Sequence, residues 1–227
     1  MKIFDKVNMS DSIYDNSDSN KIKGRIVITD TRTGKTYESH NTVVNNGKKL
    51  LMNALMGYSS GNTRICYVGF GQSASTGNYG NTVSNNANSL NENIIKSVSG
   101  SVSEGEVDVI SYNNTSYVNY GSITLGKFIP QNSITFKTAD NEDAYPYLQI
   151  DFSISGSEIQ SGKTLSEIAL FLLDENAGDY DFPMADKSAA QFSANGNGEI
   201  MFSKVDIGKS LPLSDSVTYN IKYYIYF

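Results

Sequence analysis

The sequence predicts a mainly β protein: an antiparallel β-sandwich or barrel-like domain with one amphipathic helix and an extended N-terminal arm. Three observations carry that expectation. Leu165 to Asp174, LSEIALFLLD, is the longest nearly unbroken apolar run. A short run of this kind between turn signals reads as a strand covered on both faces. Between Ile94 and Ile154, apolar and polar residues alternate in short runs separated by NN, GS, PQN and DNED, as in antiparallel strands joined by tight turns. Fifteen Tyr, ten Phe and nineteen Gly in 227 residues favour sheet and turn over helix.

The elements follow in order. Residues 1–23 are polar with scattered apolar positions and read as a flexible arm. Residues 24–227 read as a single β-rich domain, with 94–155 as a candidate inserted β subregion. Gly24 to Val44 reads as a hairpin of RIVIT and KTYESHNTVV. Its DTRTG connection suits a type I turn with Gly34 in the left-handed region. Asn46 to Met56 is the one convincing helix. Asn45 or Asn46 can cap it, Leu50, Leu51, Ala54 and Leu55 form its apolar face, and Gly57 stops it. Thr63 to Gly71, TRICYVGFG, is a second apolar strand that opens into a long polar loop, QSASTGNYGNTVSNNANSLNEN. A loop of that length marks a candidate contact surface. Further strands are expected at Ile94 to Val102, GEVDVISYNN, SYVNYGSITLGKFIP, SITFKTA and YPYLQIDFSIS, with Pro130 and Pro146 at strand edges. EIMFSKVDIGKSLPL reads as a strand ending in a turn at Gly208 to Pro212. The last strand, VTYNIKYYIYF, alternates. Val217, Tyr219, Ile221, Tyr223, Ile225 and Phe227 share one face; Thr218, Asn220, Lys222, Tyr224 and Tyr226 share the other. Such a strand is either interior to the sheet or covered by a partner subunit.

Several function classes lose support. A net charge of −6 argues against nucleic-acid binding, which relies on Lys and Arg. Cys66 is the only cysteine, so no intrachain disulfide points to an oxidising compartment. Met1 to Val7 has no apolar signal core, and no stretch is long enough to span a membrane, so a soluble cytosolic chain is expected. DNSDSN resembles half of a calcium loop but lacks its Gly and closing Glu. Asp174, Glu175, Asp179 and Asp181 form an acidic stretch whose spacing matches no such loop. GFGQSASTG lacks the GxGxxG spacing. Gly156, Gly162, Lys163 and Thr164 imitate a phosphate-binding loop with one residue too many between the glycines. His40, the only histidine, has no second His and no Cys near it in sequence and reads as structural or superficial. No catalytic residue, cofactor or metal is assigned, and a non-enzymatic role is expected.

Three blocks, in order, carry a resemblance. The first is NTVVNNGKKLLMNALMG, Asn41 to Gly57; the second is ICYVGFGQSASTGNYGNT, Ile65 to Thr82. The third is LSEIALFLLD followed by EIMFSKVDIGKSLPLSDSVTYNIKYYIYF. Together they resemble a family of tailed-bacteriophage virion proteins, tail-collar and tail-fibre-like, also found in phage-derived contractile particles. Ala169 stands where that family often has Gly, and Lys204 where it often has Arg. The region from Ile94 to Ser155 has no clear match. The resemblance implies a structural subunit of a tail, collar or neck, or baseplate, with no catalytic residues to carry over. Its expected location is the virion or phage-tail-like particle, and the bacterial host cytoplasm during assembly. Its expected partners are other copies of itself and other phage tail, neck or baseplate proteins, not nucleic acid or membrane. Assembly is expected through the N-terminal arm, the loops and the C-terminal strand. Deleting Met1 to Asn20 should weaken it without unfolding the domain. The alternatives are a receptor-binding or carbohydrate-binding β-sandwich using Tyr and Asn, and a capsid decoration protein. A hydrolase acting on cell-wall glycan would need two converging carboxylates, and no pair is nominated.

Overall fold

A computed structural model of the chain describes residues 23–48, 51, 64–73, 83, 84, 87, 89–100, 102, 107–138, 146–173 and 199–226. Among these residues, eleven strands run in chain order as β1 (Lys23–Asp30), β2 (Thr36–Val43), β3 (Arg64–Gly71), β4 (Val107–Tyr112), β5 (Thr115–Tyr120) and β6 (Ile123–Phe128), then β7 (Ile134–Lys137), β8 (Tyr147–Ser155), β9 (Thr164–Leu173), β10 (Glu199–Pro212) and β11 (Thr218–Tyr226). They form one sheet in the order β4-β5-β6-β3-β9-β10-β2-β1-β11-β8-β7. The sheet is antiparallel and curled into a half-barrel, so the expected class is what the chain adopts.

β9 sits near the middle, between β3 and β10. Its inner face places Ile168, Leu170 and Leu172 in the large core lining the concave side. Its outer face places Ala169 and Phe171 in a smaller cluster with Tyr67, Val118, Leu125 and Met201, where Phe171 stacks on Tyr67 at 4.7 Å between centroids. Both faces are therefore covered, as the apolar run requires. β11 pairs with β1 on one side and β8 on the other, so it is interior. Tyr219, Ile221, Tyr223 and Ile225 point into the core, while Asn220 and Lys222 face outward. The β1–β2 hairpin closes as expected: Gly34 N donates to Asp30 O at 2.8 Å, and Gly34 has φ +70°.

Three expectations are corrected. Ile94 to Val102 is not a strand; residues 93 and 95 make only isolated bridges, to Gly71 and Ile159. Ile94, Ile95 and Val98 all enter the large core, so the segment works as a wedge whose apolar residues do not alternate between faces. Secondly, β10 does not stop at Gly208. Asp206 pairs with Glu167, and the next pair is Leu211 with Leu165. Residues 207–210 bulge out, Gly208 takes φ +73°, and pairing then resumes to Pro212. Thirdly, neither Asn45 nor Asn46 is the residue that precedes the helix's first turn. Lys48 N donates to Val44 O at 3.0 Å, which places Asn45 inside the first turn. Residues 45–48 and 51 are helical, and Leu51 packs partly against the large core. The rest of the predicted helix, the N-terminal arm up to residue 22, most of the loop after β3 and the acidic stretch after β9 lie outside the described residues.

The two limbs of the curl are joined through the wedge. β6 pairs with β3 only at Tyr67–Phe128 and Val68–Lys127. Beyond that, Ile94 N donates to Phe70 O at 3.0 Å, and Asn93 Nδ2 donates to Thr124 O and Leu125 O at 2.9 and 3.1 Å. On its far side the wedge reaches the turn after β8. Lys96 N donates to Glu158 O and Gln160 N to Ile94 O, both at 2.9 Å.

Candidate functional site

The buried charges hold elements together. Lys204 on β10 and Glu167 on β9 form an ion pair at 2.9 Å, with side chains 9% and 2% exposed. Glu167 Oε2 also accepts from Asn91 N at 2.9 Å, and Lys204 Nζ donates to Ser89 O at 3.2 Å. The pair therefore pins residues 89–91 over the outer cluster. A second pair, Lys127–Glu158 at 2.8 Å, crosses the concave side. Lys127 Nζ donates to Ser153 O, and the Tyr117 hydroxyl donates to Glu158 Oε1, each at 2.7 Å. Burial works against the Glu158 carboxylate, but the Lys127 ammonium and the hydrogen bonds from Tyr117 and Ser155 N outweigh it, holding its pKa below the usual carboxylate range. The Tyr117 phenol is pushed up by burial and by the Glu158 charge. Among the described residues, no group of three or more His, Cys, Asp and Glu is placed to hold a metal ion. His40 is exposed on β2 opposite Arg25. Among the same residues, no helix is long and apolar enough to cross a membrane.

What the fold offers outward is surface. The outer face of β1, β11 and β8 carries Tyr147, Tyr224 and Tyr226, all half-buried. Tyr147 lies directly across from Tyr226 and Gln149 across from Tyr224. The ring centroids of Tyr147 are 5.7 and 5.5 Å from those of Tyr224 and Tyr226. The Arg25 guanidinium sits 5.9 Å from the Tyr224 centroid and pairs with Glu38 at 2.8 Å. Gln149 donates to both oxygens of Asp151, at 3.0 and 2.8 Å. At one end of β2, Lys209 and Lys35 lie 3.9 and 5.6 Å from the Tyr37 centroid. The bulge in β10 is what aims Lys209 there, a common use of such irregularities.

The remaining surface is the pair of sheet edges. β4 and β7 are the terminal strands, and each carries exposed large apolar side chains: Val109 and Tyr112 on β4, Phe136 on β7. The sequence names the last strand as a contact element. Both backbone edges of β11 are occupied, so only its outer face, with Tyr224 and Tyr226, is open to a partner. Arg25, Tyr147 and the β4 and β7 side chains were not singled out. Their signal, a short strand with large apolar residues facing water, exists only once strand order is known.

The three sequence blocks come together in the fold. They supply β3, β9, β10 and the end of β2 (Asn41 to Val43), which are consecutive in the sheet, together with β11, which β1 separates from β2. The region from Ile94 to Ser155, which had no match, supplies β4, β5 and β6 at one end of the sheet and β7 and β8 at the other. Compared with protein-family models, curated proteins and solved structures, the chain matches none.

Proposed function

We propose that the protein is a non-enzymatic structural subunit of a bacteriophage or phage-tail-like particle, present in several copies in the tail, collar or neck, or baseplate. The observation that carries this reading is the open sheet. Among the described residues its two terminal strands pair on one side only and expose Val109, Tyr112 and Phe136, and exposed edges of this kind invite pairing with another chain. The reading is also supported by the place of the resembling blocks: β3, β9, β10 and the end of β2 are neighbours in the sheet, and the unmatched region from Ile94 to Ser155 forms both rims. Quantitative mass spectrometry of particles purified from the producing bacterium tests it. The expected result is a fixed copy number relative to the tail-tube subunit. Absence from every particle removes the reading.

One observation favours a second reading, a carbohydrate-binding role. Tyr147, Tyr224 and Tyr226 sit together with Arg25, Gln149 and Asp151 on one sheet face. Aromatic surface beside planar hydrogen-bonding groups suits sugar rings and their hydroxyls. A glycan array tests it: binding that disappears in Tyr224→Ala, with thermal stability retained, favours this role, and no binding at all excludes it.

A further inference from the structure

We infer that Lys204 and Asn91 become joined by an amide bond between their side chains, with Glu167 carrying the protons. The inference concerns the buried ion pair on the outer face and does not depend on the role proposed above. Glu167 alternates onto the same face of β9 as Ala169 and Phe171, and Lys204 pairs with Ala169 from β10. The Lys204–Glu167 pair is thereby set beside the apolar cluster of Ala169, Phe171, Met201 and Leu90. Gly71 lies opposite Glu167 on β3. A Cβ there would stand 3.0 Å from Glu167 Oε2 and 3.1 Å from Leu90 Cδ2, so the bare glycine makes room for the carboxylate under its leucine cover.

A carboxamide sits on the same carboxylate. Asn91 Nδ2 donates to Glu167 Oε1, the oxygen that holds Lys204 Nζ at 2.9 Å. Asn91 N donates to Glu167 Oε2 at 2.9 Å, and Lys204 Nζ also donates to Ser89 O at 3.2 Å. An amine, an amide and a proton carrier therefore meet at one oxygen. The other buried pair, Lys127–Glu158, has the Tyr117 hydroxyl and Ser155 N on its carboxylate, so it has the charges without the electrophile. Away from water, passing a proton from the Lys204 ammonium to Glu167 removes both charges at once, and the neutral amine is a nucleophile. Asn91 is exposed, so its side chain can turn to bring Cγ to about 3–3.5 Å from Nζ, the distance for attack. The Nζ–Cγ bond forms and the Cγ–Nδ2 bond breaks. One Nζ proton stays on the new amide. The others pass by way of Glu167 to Nδ2, which leaves as ammonium into water. Glu167 ends as the carboxylate it began as, and nothing is oxidised or reduced. The product ties β10 to the segment between β3 and β4 and closes a loop that contains β4 to β9, which restricts the unfolded chain as a long-range cross-link does.

Intact mass under denaturing conditions, with peptide mapping, tests the bond. The ion pair forms on folding and the bond follows, so the full chain is held folded at neutral pH and sampled with time. The expected result is a species lighter by one ammonia and, after proteolysis, a branched peptide joining Asn91 to Lys204. Lys204→Arg keeps an ion pair but has no primary amine, and Asn91→Ala removes the carboxamide from an exposed position. Each should retain the wild-type circular dichroism and give no branched peptide, and these two variants decide the matter even where Glu167→Gln fails to fold. A folded Glu167→Gln should form the peptide at least about a hundredfold more slowly. Ammonia lost without the branched peptide, as when an asparagine cyclises on its own backbone, overturns the inference. So does a folded wild-type chain that keeps its full mass. A branched peptide that forms equally fast in Glu167→Gln removes the role given to that carboxylate.

Discussion

Glu167 reads in the sequence as a polar interruption of an apolar run. In the fold it is a carboxylate almost without water contact, and Lys204 is its counter-ion. Removing one partner of a buried pair leaves the other charge desolvated and uncompensated. Lys204→Met is therefore expected to cost about 3–5 kcal/mol, measured by urea denaturation at neutral pH. A loss of under about 1 kcal/mol would contradict the burial argument. The double variant with Glu167→Gln should recover much of the loss, since no charge is then stranded. Tyr219 supplies a pH test at the other extreme. Burial, then the neighbouring Tyr37 and Asp30, push its phenol up to about 12 from the ordinary 10.0. The stabilising contribution is fully present below 10.0 and is lost as pH rises through the folded value, because the unfolded chain ionises first. Tyr219→Phe, which keeps the ring, should flatten the alkaline loss of stability. An unchanged slope would assign that loss to other groups.

At the scale of elements, alternation and apolar run length were enough to find most strands, including β9 and β11. What they could not show is where the chain leaves the ladder. Ile94 to Val102 has strand composition, yet much of its backbone is satisfied by side chains: Ile95 N donates to Asn93 Oδ1, Val98 N donates to the Thr124 hydroxyl, and Ile95 O accepts from Gln160 Nε2, none of which alternation reports. The bulge in β10 was read as a turn because glycine followed by a lysine and a serine serves either purpose. Only the re-pairing of Leu211 with Leu165 decides between them. The tyrosine face was half legible: Tyr224 and Tyr226 follow from alternation in β11, whereas Tyr147 and Arg25 reach it through register, a long-range property. One element-scale prediction concerns the short β3–β6 contact. Gly126 lies where a Cβ would meet Val68 O at 2.3 Å and the Tyr67 ring at 2.6 Å. Backbone cannot yield as a flexible side-chain tip does. Gly126→Ala should destabilise by about 1–3 kcal/mol, with the loss of amide protection in native-state exchange greatest in β6. Unchanged stability would mean that β6 can move off β3 at no cost.

For the molecule as a whole, the question is what keeps an eleven-stranded sheet curled. Backbone pairing runs continuously from β4 to β7, but β6 and β8, near opposite ends of that order, meet through side chains. Lys127 reaches Ser153 O and Glu158, Tyr117 reaches Glu158, and the 93–98 wedge ties β3 to the same turn. This seam is polar, so it can be released without dismantling the apolar core beneath it. The folded Glu158 carboxyl titrates below the ordinary value of 4.5. Its contribution is therefore complete above 4.5 and is lost as pH falls through the depressed folded value. Hydrogen exchange, corrected for intrinsic rates and followed from neutral pH to about pH 3, should show residues 93–98 and 156–160 losing protection before β1, β2 and β11. Glu158→Gln keeps a hydrogen-bonding side chain without the charge; it should weaken the seam at neutral pH and remove its acid dependence. If all these segments lose protection together, and the variant follows the wild type, the curl is held by the core alone and the seam is incidental to it.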